Sequence, residues 1–173
     1  MSDPHAVDTA LLVIRVALGV VFLAHGYNHV FGGGKIAGTA RWFESLGMRP
    51  GRLHAWTASL TELGAGVLLL LGLLTPLACA GIVGTMVVAL VTNHLRNGFF
   101  IFRPGEGYEY VMTLTLVAIG LAGVGGGEWS LDNALGLFQP GGWAGLAIAV
   151  LAGGGGAAGL LVTFWRPSPA TKE

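Results

Sequence analysis

Six ionisable side chains interrupt long apolar stretches of this sequence: Arg15, His25, His29, Glu62, His94 and Glu109. Ionisable residues inside an apolar segment are costly, so they usually face the interior of a helix bundle and mark a functional site. The candidate catalytic residues are Glu62, His94 and Glu109. The candidates for binding a ligand are His25, His29, Asn97 and Tyr108.

The spacing of His25 and His29 places two imidazoles on one side of a helix. Histidines at positions i and i+4 can share a metal ion, and histidine with carboxylate ligands suits iron or zinc. Without a second pair of close ligands, the pattern is more typical of interfacial polarity, so no firm metal or haem site is predicted. A pocket of His and Glu beside aromatic residues would equally suit a quinone head group, with His and Tyr as hydrogen-bond partners.

Arg15 and Glu62 are expected deep inside the bundle. At 100° per residue, Arg15, His25 and His29 lie within about 80° of each other around one helix. Helical rise places Glu62 roughly 12 Å from one end of its own segment, so its side chain could meet that of Arg15 near the middle. Such an ion pair would be either a structural pin or part of a proton- or quinone-linked site.

The elements that carry these residues are predicted to be membrane-spanning helices. Of the 173 residues, 53% are hydrophobic and 10% are charged, whereas a soluble domain carries about 25% charged residues. A charged fraction this low cannot cover a water-facing surface, and the 30 glycines suit transmembrane helices whose backbones approach closely. The net charge is zero, so nothing indicates nucleic acid as a partner. The apolar composition instead indicates the lipid bilayer.

Five segments reach the length of about 20 residues that a bilayer requires: 10–31, 54–74, 77–95, 108–124 and 143–165. The predicted fold class is all-α, with a four-helix transmembrane bundle in residues 10–135 and a fifth, C-terminal transmembrane helix. Residues 1–9 and 166–173 are the predicted tails. Trp143 and Trp165 bracket the fifth segment as interfacial anchors, but four consecutive glycines at 153–156 make it the weakest helix former.

The basic residues predict an orientation. Eight of the nine Lys and Arg residues lie outside the segments, all on one side of the membrane: Lys35, Arg41, Arg49, Arg52, Arg96, Arg103, Arg166 and Lys172. The positive-inside rule therefore places the N-terminus outside and the C-terminus in the cytoplasm. Residues 36–46 predict a short amphipathic helix on the inner leaflet, with a solvated loop as the alternative.

Seven short motifs, in order, resemble the DoxX family of small bacterial inner-membrane proteins. They are RVALG at 15–19, FLAHG at 22–26, ELGAG at 62–66, LGLLTP at 71–76, HLRNGFF at 94–100, GYEY at 107–110 and GVGGGEWSLD at 123–132. The positions that match the family pattern are Arg15, His25, Gly26, Glu62, His94, Asn97 and Glu109. The usual pattern has four spans, and a lysine often follows its first His-Gly, where this sequence has Tyr27, Asn28 and His29.

The resemblance implies a membrane subunit of a quinone-linked oxidoreductase, or of a complex concerned with oxidative and thiol stress, with electrons supplied by a soluble partner at the cytoplasmic face. The alternative is a non-catalytic scaffold or assembly factor, because the sequence has no nucleophile constellation or phosphate loop. Its single cysteine, Cys79, excludes a thiol pair. A small transporter is the third hypothesis, and a homo-oligomer would be needed to build its pore.

Overall fold

The computed structural model describes residues 3–137 and 140–167, in which the chain is helical with no β-strand. The helices are α1 Pro4–Phe31, α2 Lys35–Ser45, α3 Gly51–Leu71, α4 Thr75–Ala89, α5 Glu109–Val124, α6 Leu131–Ala134, α7 Gly142–Ala147 and α8 Gly155–Phe164. A π-helical turn, Ile148–Gly154, joins α7 to α8, and together they form one C-terminal helix, Gly142–Phe164. The predicted all-α membrane bundle is confirmed. Residues 168–173 of the predicted C-terminal tail lie outside the described residues.

Within the described residues, four helices are long and apolar enough to cross a membrane: His5–Phe31, Gly51–Leu71, Thr75–Asn97 and Gly142–Phe164. The fifth segment, despite its glycines, is among them. The fourth predicted span is the short one, since α5 has 16 residues and is therefore about 24 Å long by helical rise. A hydrocarbon core is about 30 Å thick, so α5 needs its flanking residues to complete the crossing.

The first helix begins earlier than the predicted span. Asp3 precedes it as the N-cap, its carboxylate accepts a hydrogen bond from the backbone N–H of His5 at 3.0 Å, and Pro4 occupies the first helical position. Both features favour a helix start. Most of the predicted N-terminal tail, residues 1–9, is therefore the first turn of α1.

Close backbone contacts hold the helices together. Helix α3 packs along α1, while α4 packs against α3, α5 and the C-terminal helix. A Cβ atom at Gly19 would lie 3.0 Å from the carbonyl oxygen of Gly66, and one at Gly66 would lie 2.9 Å from that of Gly19. Glycine at both positions thus lets α1 and α3 touch through their backbones, which is how transmembrane helices gain packing energy.

The last turns of α4 widen before the chain leaves the bundle. A π-helical turn, Leu90–His94, is followed by a short 3₁₀ turn, Leu95–Asn97. A π turn inserts one extra residue and redirects the side chains beyond it, and such turns are frequent at functional sites. This turn aims His94, which is buried, into the bundle.

Helix α2 lies across the end of the bundle where α1 ends and α3 begins. Its Ala40 and Phe43 are buried against the bundle, while Trp42 is 45% exposed. The end of the C-terminal helix is tied to the α2–α3 connection, because the indole Nε1–H of Trp165 donates to the carbonyl oxygen of Leu46 at 3.0 Å. One end of the molecule is thus closed by α2 and by the last turn of the C-terminal helix.

Candidate functional site

A cavity of about 550 Å³ opens among α1, α2, α3, α4 and the C-terminal helix. It is lined by four of the five histidines, His25, His29, His54 and His94, and also by Glu62 and Tyr110. We call the part of this cavity bordered by His25, His29, Glu62, His94 and Tyr110 the polar chamber. The volume of the whole cavity is in the range of about 300–1,000 Å³ that ligand sites occupy.

The polar chamber contains a buried acid beside a histidine. The Nδ1 atom of His29 lies 3.0 Å from the Oε2 atom of Glu62, and their side chains are 15% and 4% exposed. The two atoms are at ion-pair distance but are not aligned as a hydrogen bond, and neither has another hydrogen-bond partner in the part of the chain that the structure describes. The pair therefore keeps unused hydrogen-bonding capacity, which is costly in a buried site unless a ligand or a proton satisfies it.

Histidine 94 has a defined tautomer. Its Nδ1 atom lies 2.9 Å from the backbone carbonyl oxygen of Glu106. A carbonyl oxygen can only accept, so Nδ1 carries the proton. The Nε2 atom of a neutral His94 is then an acceptor, and the side-chain amide of Asn93 lies 3.3 Å from it. The imidazole is thus oriented by a backbone contact, as catalytic and ligand-binding histidines commonly are.

Tyr110 connects the two sides of the polar chamber. Its ring centroid lies 6.3 Å from that of His25 on α1 and 6.1 Å from that of His94 at the end of α4. Histidines on two helices thus flank one phenol ring. A planar ligand in this space would meet aromatic faces as well as hydrogen-bonding groups, a combination typical of small-molecule sites.

The predicted Arg15–Glu62 ion pair is wrong. Arg15 is 1% exposed, and its Nη2 and Nη1 atoms donate to the backbone carbonyl oxygens of Trp129 at 2.6 Å and Leu69 at 3.4 Å. The physical reason is depth. Arg15 and His29, the residue that contacts Glu62, are 14 positions apart on α1, which is about 21 Å by helical rise.

Arg15 belongs to a second polar cluster, at the opposite end of the bundle from α2. There the Asp132 carboxylate accepts hydrogen bonds from the backbone N–H groups of Leu74 at 2.8 Å and Thr75 at 3.1 Å, and from the Thr75 hydroxyl at 3.2 Å. These are the first, otherwise unpaired, donors of α4. Arg15 and Asp132 thus fasten the 125–137 loop to three helices, which is a structural role.

Three other predicted site residues lie outside the cavity wall. Asn97 holds the 98–107 loop, because its side-chain amide donates to the carbonyl oxygens of Gly105 and Glu106 at 2.6 and 3.1 Å. Tyr108 packs edge-on against Phe99. Glu109 opens α5, and its successor Tyr110 borders the chamber. Successive helical residues point about 100° apart, so only one of three adjacent polar residues could face inward.

The histidines at i and i+4 do not gain further metal ligands. Among residues 3–137 and 140–167, no three His, Cys, Asp or Glu side chains converge as a metal site would require. His25 stacks beside Tyr110, while His29 contacts Glu62. The two histidines thus contact different neighbours, although they lie about one turn apart on α1.

His54, like Tyr110, lines the cavity but is not among the residues predicted from the sequence. It is 3% exposed, and its Nε2 atom has no hydrogen-bond partner in the described chain. Its ring packs edge-on against Phe164, with centroids 5.0 Å apart. Its position in the sequence could have indicated this role, because His54 and Glu62 are eight residues apart and therefore lie about 80° apart around α3.

Comparison with known proteins identifies the family. The DoxX family profile matches residues 10–95. The Bacillus subtilis (strain 168) protein named "Putative oxidoreductase CatD" is 30% identical over 116 residues, which cover 67% of this chain and 81% of that protein. An uncharacterized membrane protein of Mycobacterium tuberculosis is 31% identical over 139 residues, covering 73% of this chain and 81% of its own. No solved structure matches significantly. The chain belongs to the DoxX family and is a multi-pass membrane protein.

Proposed function

We propose that this protein is the membrane subunit of a quinone-linked oxidoreductase and that its polar chamber binds the quinone head group. The observation that carries the proposal is the concentration of His25, His29, Glu62, His94 and Tyr110 around one cavity of a membrane-spanning bundle. Ionisable groups in such a setting mark a substrate or proton pathway. The name of the Bacillus subtilis relative, an oxidoreductase, agrees with this class of reaction.

The groups of the chamber match the hydrogen-bonding needs of a quinone. A quinone accepts electrons together with protons, and its carbonyl oxygens accept hydrogen bonds. Donors are available from the Tyr110 hydroxyl and from the unpartnered Nδ1 of His29. The neighbouring Glu62 carboxylate can hold a proton near the same position, since only 3.0 Å separates it from His29. A buried acid beside a histidine is a reasonable proton donor to a bound oxygen.

The proposal includes a soluble electron donor. The basic residues Arg41, Arg96 and Arg103 are exposed and belong to the segments at the chamber end of the bundle. By the positive-inside rule this end is the cytoplasmic one, in the bacterial inner membrane typical of the family. An acidic partner docking there would deliver electrons close to the polar chamber, without crossing the bilayer.

Purified protein in detergent provides the test. Trp42 lines the cavity, so a bound quinone should quench tryptophan fluorescence, and Trp42→Phe should reduce the amplitude of quenching without changing the dissociation constant. Glu62→Gln and His94→Ala should weaken binding by about tenfold or more, because each removes a hydrogen-bonding group from a buried site. The matched controls are Glu109→Gln and His5→Ala, which carry the same chemistry outside the cavity and should leave the affinity within about twofold.

The proposal is wrong if quinone does not quench the tryptophan fluorescence of the wild-type protein in a saturable manner. Equal affinities for the wild type, Glu62→Gln and His94→Ala would retain quinone binding but move the site out of the chamber. Quinone reduction is then measured in native membranes that contain or lack this protein. This comparison tests whether the bound quinone is a substrate. Loss of that reduction in Glu62→Gln, with normal protein levels, is the expected outcome.

A scaffold without catalytic activity is the second candidate, and exposed aromatic residues favour it. Phe99, Phe100 and Phe102 in the 98–107 loop are 42%, 46% and 77% exposed, at the same end as the exposed Trp42. Aromatic and arginine side chains are enriched at protein interfaces. If the chain is a scaffold, replacing Phe102 and Trp42 by Ser should release a stoichiometric soluble partner from native membranes, while Glu62→Gln has no effect.

A further inference from the structure

The cavity continues beyond the polar chamber as an apolar groove. Its floor is α4, and its walls are α3 on one side and the C-terminal helix on the other. The side chains along it are small or apolar: Thr57, Ala58, Thr61, Leu77, Ala80, Gly81, Gly84, Ala152, Gly156 and Leu160. We call this part of the cavity the lateral groove. No charged side chain of the described chain lines it between Leu77 and Thr85.

The lateral groove exists because its two walls both pack on α4 and scarcely on each other. The C-terminal helix approaches α4 closely at Gly84 and Gly153, where a Cβ atom at Gly84 would lie 3.2 Å from the Gly153 carbonyl oxygen. On the other wall, a Cβ atom at Gly81 would lie 3.1 Å from the Thr61 methyl group. Glycines on α4 therefore let α3 and the C-terminal helix both approach α4 closely, and the space between these two helices stays open.

One end of the lateral groove is closed and the other faces the bilayer. His54 and Phe164, whose rings are 5.0 Å apart, bridge the two walls near α2. At the opposite end, Leu77 is 55% exposed, and Thr57, Ala152 and Gly156 are exposed along the rims. In a membrane-spanning bundle, this exposure is to hydrocarbon. The groove is thus a side opening from the lipid to the cavity.

We propose that the lateral groove holds the isoprenoid tail of the quinone whose head group occupies the polar chamber, an inference that rests on the proposed function. The chamber has buried polar atoms without a hydrogen-bond partner, whereas no charged side chain of the described chain lines the groove that continues from it. A ligand with a planar polar head and a flexible apolar tail satisfies both parts of one cavity. The groove runs along α4 from Leu77 to Gly84, seven residues, which is about 10 Å by helical rise.

The orientation of the groove also explains how a membrane-dissolved ligand would enter. A water-soluble ligand would have to pass the end covered by α2, whereas the lateral groove opens directly to the hydrocarbon. In the groove, the tail would exchange contacts with lipid or detergent for contacts with three helices, so the gain comes from van der Waals packing and not from removal of apolar surface from water. Part of the tail remains in the bilayer at the Leu77 end.

Gly156 allows a clean test. It lines the groove, and a Cβ atom placed on it would meet nothing within 4 Å, so the backbone has room for the larger side chain of Gly156→Leu to begin there. Gly159 is the matched control, because a Cβ atom there also meets nothing within 4 Å and the residue is exposed but does not line the cavity. Both substitutions place Leu in the same glycine-rich helix.

The probes are a methylnaphthoquinone without a tail and the same head group with an isoprenoid tail, titrated against the full-length protein by tryptophan quenching. We expect the wild type to bind the tailed quinone more tightly. Gly156→Leu should weaken binding of the tailed quinone by about tenfold or more and leave the tail-less quinone within about twofold. Gly159→Leu should change neither affinity.

Three results would overturn the inference while leaving quinone binding in place. They are equal wild-type affinities for the two probes, an unchanged affinity of Gly156→Leu for the tailed quinone, and equal loss of both probes in Gly156→Leu. If Gly156→Leu lowers only the amount of co-purified phospholipid, the groove holds a lipid acyl chain instead. If neither probe binds to the wild type, the proposed function fails and this inference fails with it.

Discussion

The Nδ1 atom of His29 lies 3.0 Å from the Oε2 atom of Glu62, and the two residues come from different membrane-spanning helices, α1 and α3. Glu62 is 4% exposed, and His29 is the side chain that lies at ion-pair distance from its carboxyl group. His29 is also flanked by the aromatic rings of Trp42 and Phe43 on α2, with centroids at 6.4 and 6.3 Å. One acid–histidine contact therefore connects three helices at the wall of the cavity.

Removing His29 should destabilise the protein by leaving Glu62 without a partner. We expect His29→Ala to lower the free energy of unfolding by about 1–3 kcal/mol, because Glu62 loses the polar side chain at contact distance from its buried carboxyl group. Glu62→Gln in the His29→Ala background should recover part of this loss, because a neutral amide is cheaper to bury than a carboxylate. A double-mutant cycle on thermal unfolding in detergent measures the coupling. A coupling energy of zero would contradict the importance of the contact.

Exposure of Cys79 offers a convenient readout for such measurements. It is the single cysteine of the sequence and is buried in α4. A dye that fluoresces on reaction with thiols should therefore label the chain only as the bundle unfolds. Cys79→Ala, which removes the thiol without enlarging the side chain, is the blank for this assay.

Asp132 should contribute to stability through the start of α4. Asp132→Ala removes the acceptor for three donors, the N–H groups of Leu74 and Thr75 and the Thr75 hydroxyl. We expect a loss of about 1–3 kcal/mol and a lower midpoint of thermal unfolding. Glu128→Ala, an exposed acidic residue of the same loop, is the control and should change the midpoint little. Equal effects of the two substitutions would argue against a specific role for Asp132.

Arg15 should prove structural and not part of the quinone site. Arg15→Met removes the hydrogen bonds to the carbonyl oxygens of Trp129 and Leu69, and the thermal midpoint should fall because the 125–137 loop loses its hydrogen bond from α1. Quinone affinity should stay within about twofold of the wild type, since altered residues far from a site usually act independently. A loss of quinone binding in a folded Arg15→Met protein would return Arg15 to the functional site.

Two adjacent glycines of the C-terminal helix should respond in opposite directions to the same change. A Cβ atom at Gly153 would lie 2.5 Å from the Ala80 carbonyl oxygen and 2.9 Å from the Val83 Cβ atom, whereas one at Gly154 would meet nothing within 4 Å. Gly153→Ala should therefore lower the midpoint of unfolding by pushing this helix away from α4. Gly154→Ala should be neutral or raise stability by up to about 1 kcal/mol, through better helix propensity.

If Gly153→Ala and Gly154→Ala have the same effect, the close contact between α4 and the C-terminal helix does not persist in the membrane. The comparison is internally controlled, because both variants add one methyl group to the same π-helical turn, Ile148–Gly154. The rate of Cys79 labelling reports the unfolding of both variants, since Cys79 is adjacent in sequence to Ala80.

The helices themselves could be predicted from the sequence because their cause is local. A charged fraction of 10% and apolar runs of about twenty residues indicate a chain that is folded in a bilayer. In a bilayer the backbone N–H and C=O groups must hydrogen-bond to one another, and a helix allows this within one segment. The polar exceptions His25, His29, Glu62 and His94 were found for the same reason, since charge is rare in such segments. The spacing of His25 and His29 on one helix also follows from a local period.

Only the tertiary structure decided how those residues combine, because their contacts depend on the relative depth and rotation of separate helices. Glu62 contacts His29 and not Arg15, since about 21 Å of helical rise separates the two positions on α1. Tyr110, and not Tyr108 or Glu109, borders the cavity because α5 begins at a particular rotation. The sequence by itself determined a membrane bundle with a polar interior. The packing of α4 against α3 and the C-terminal helix decided that this interior is a chamber with an opening to the lipid.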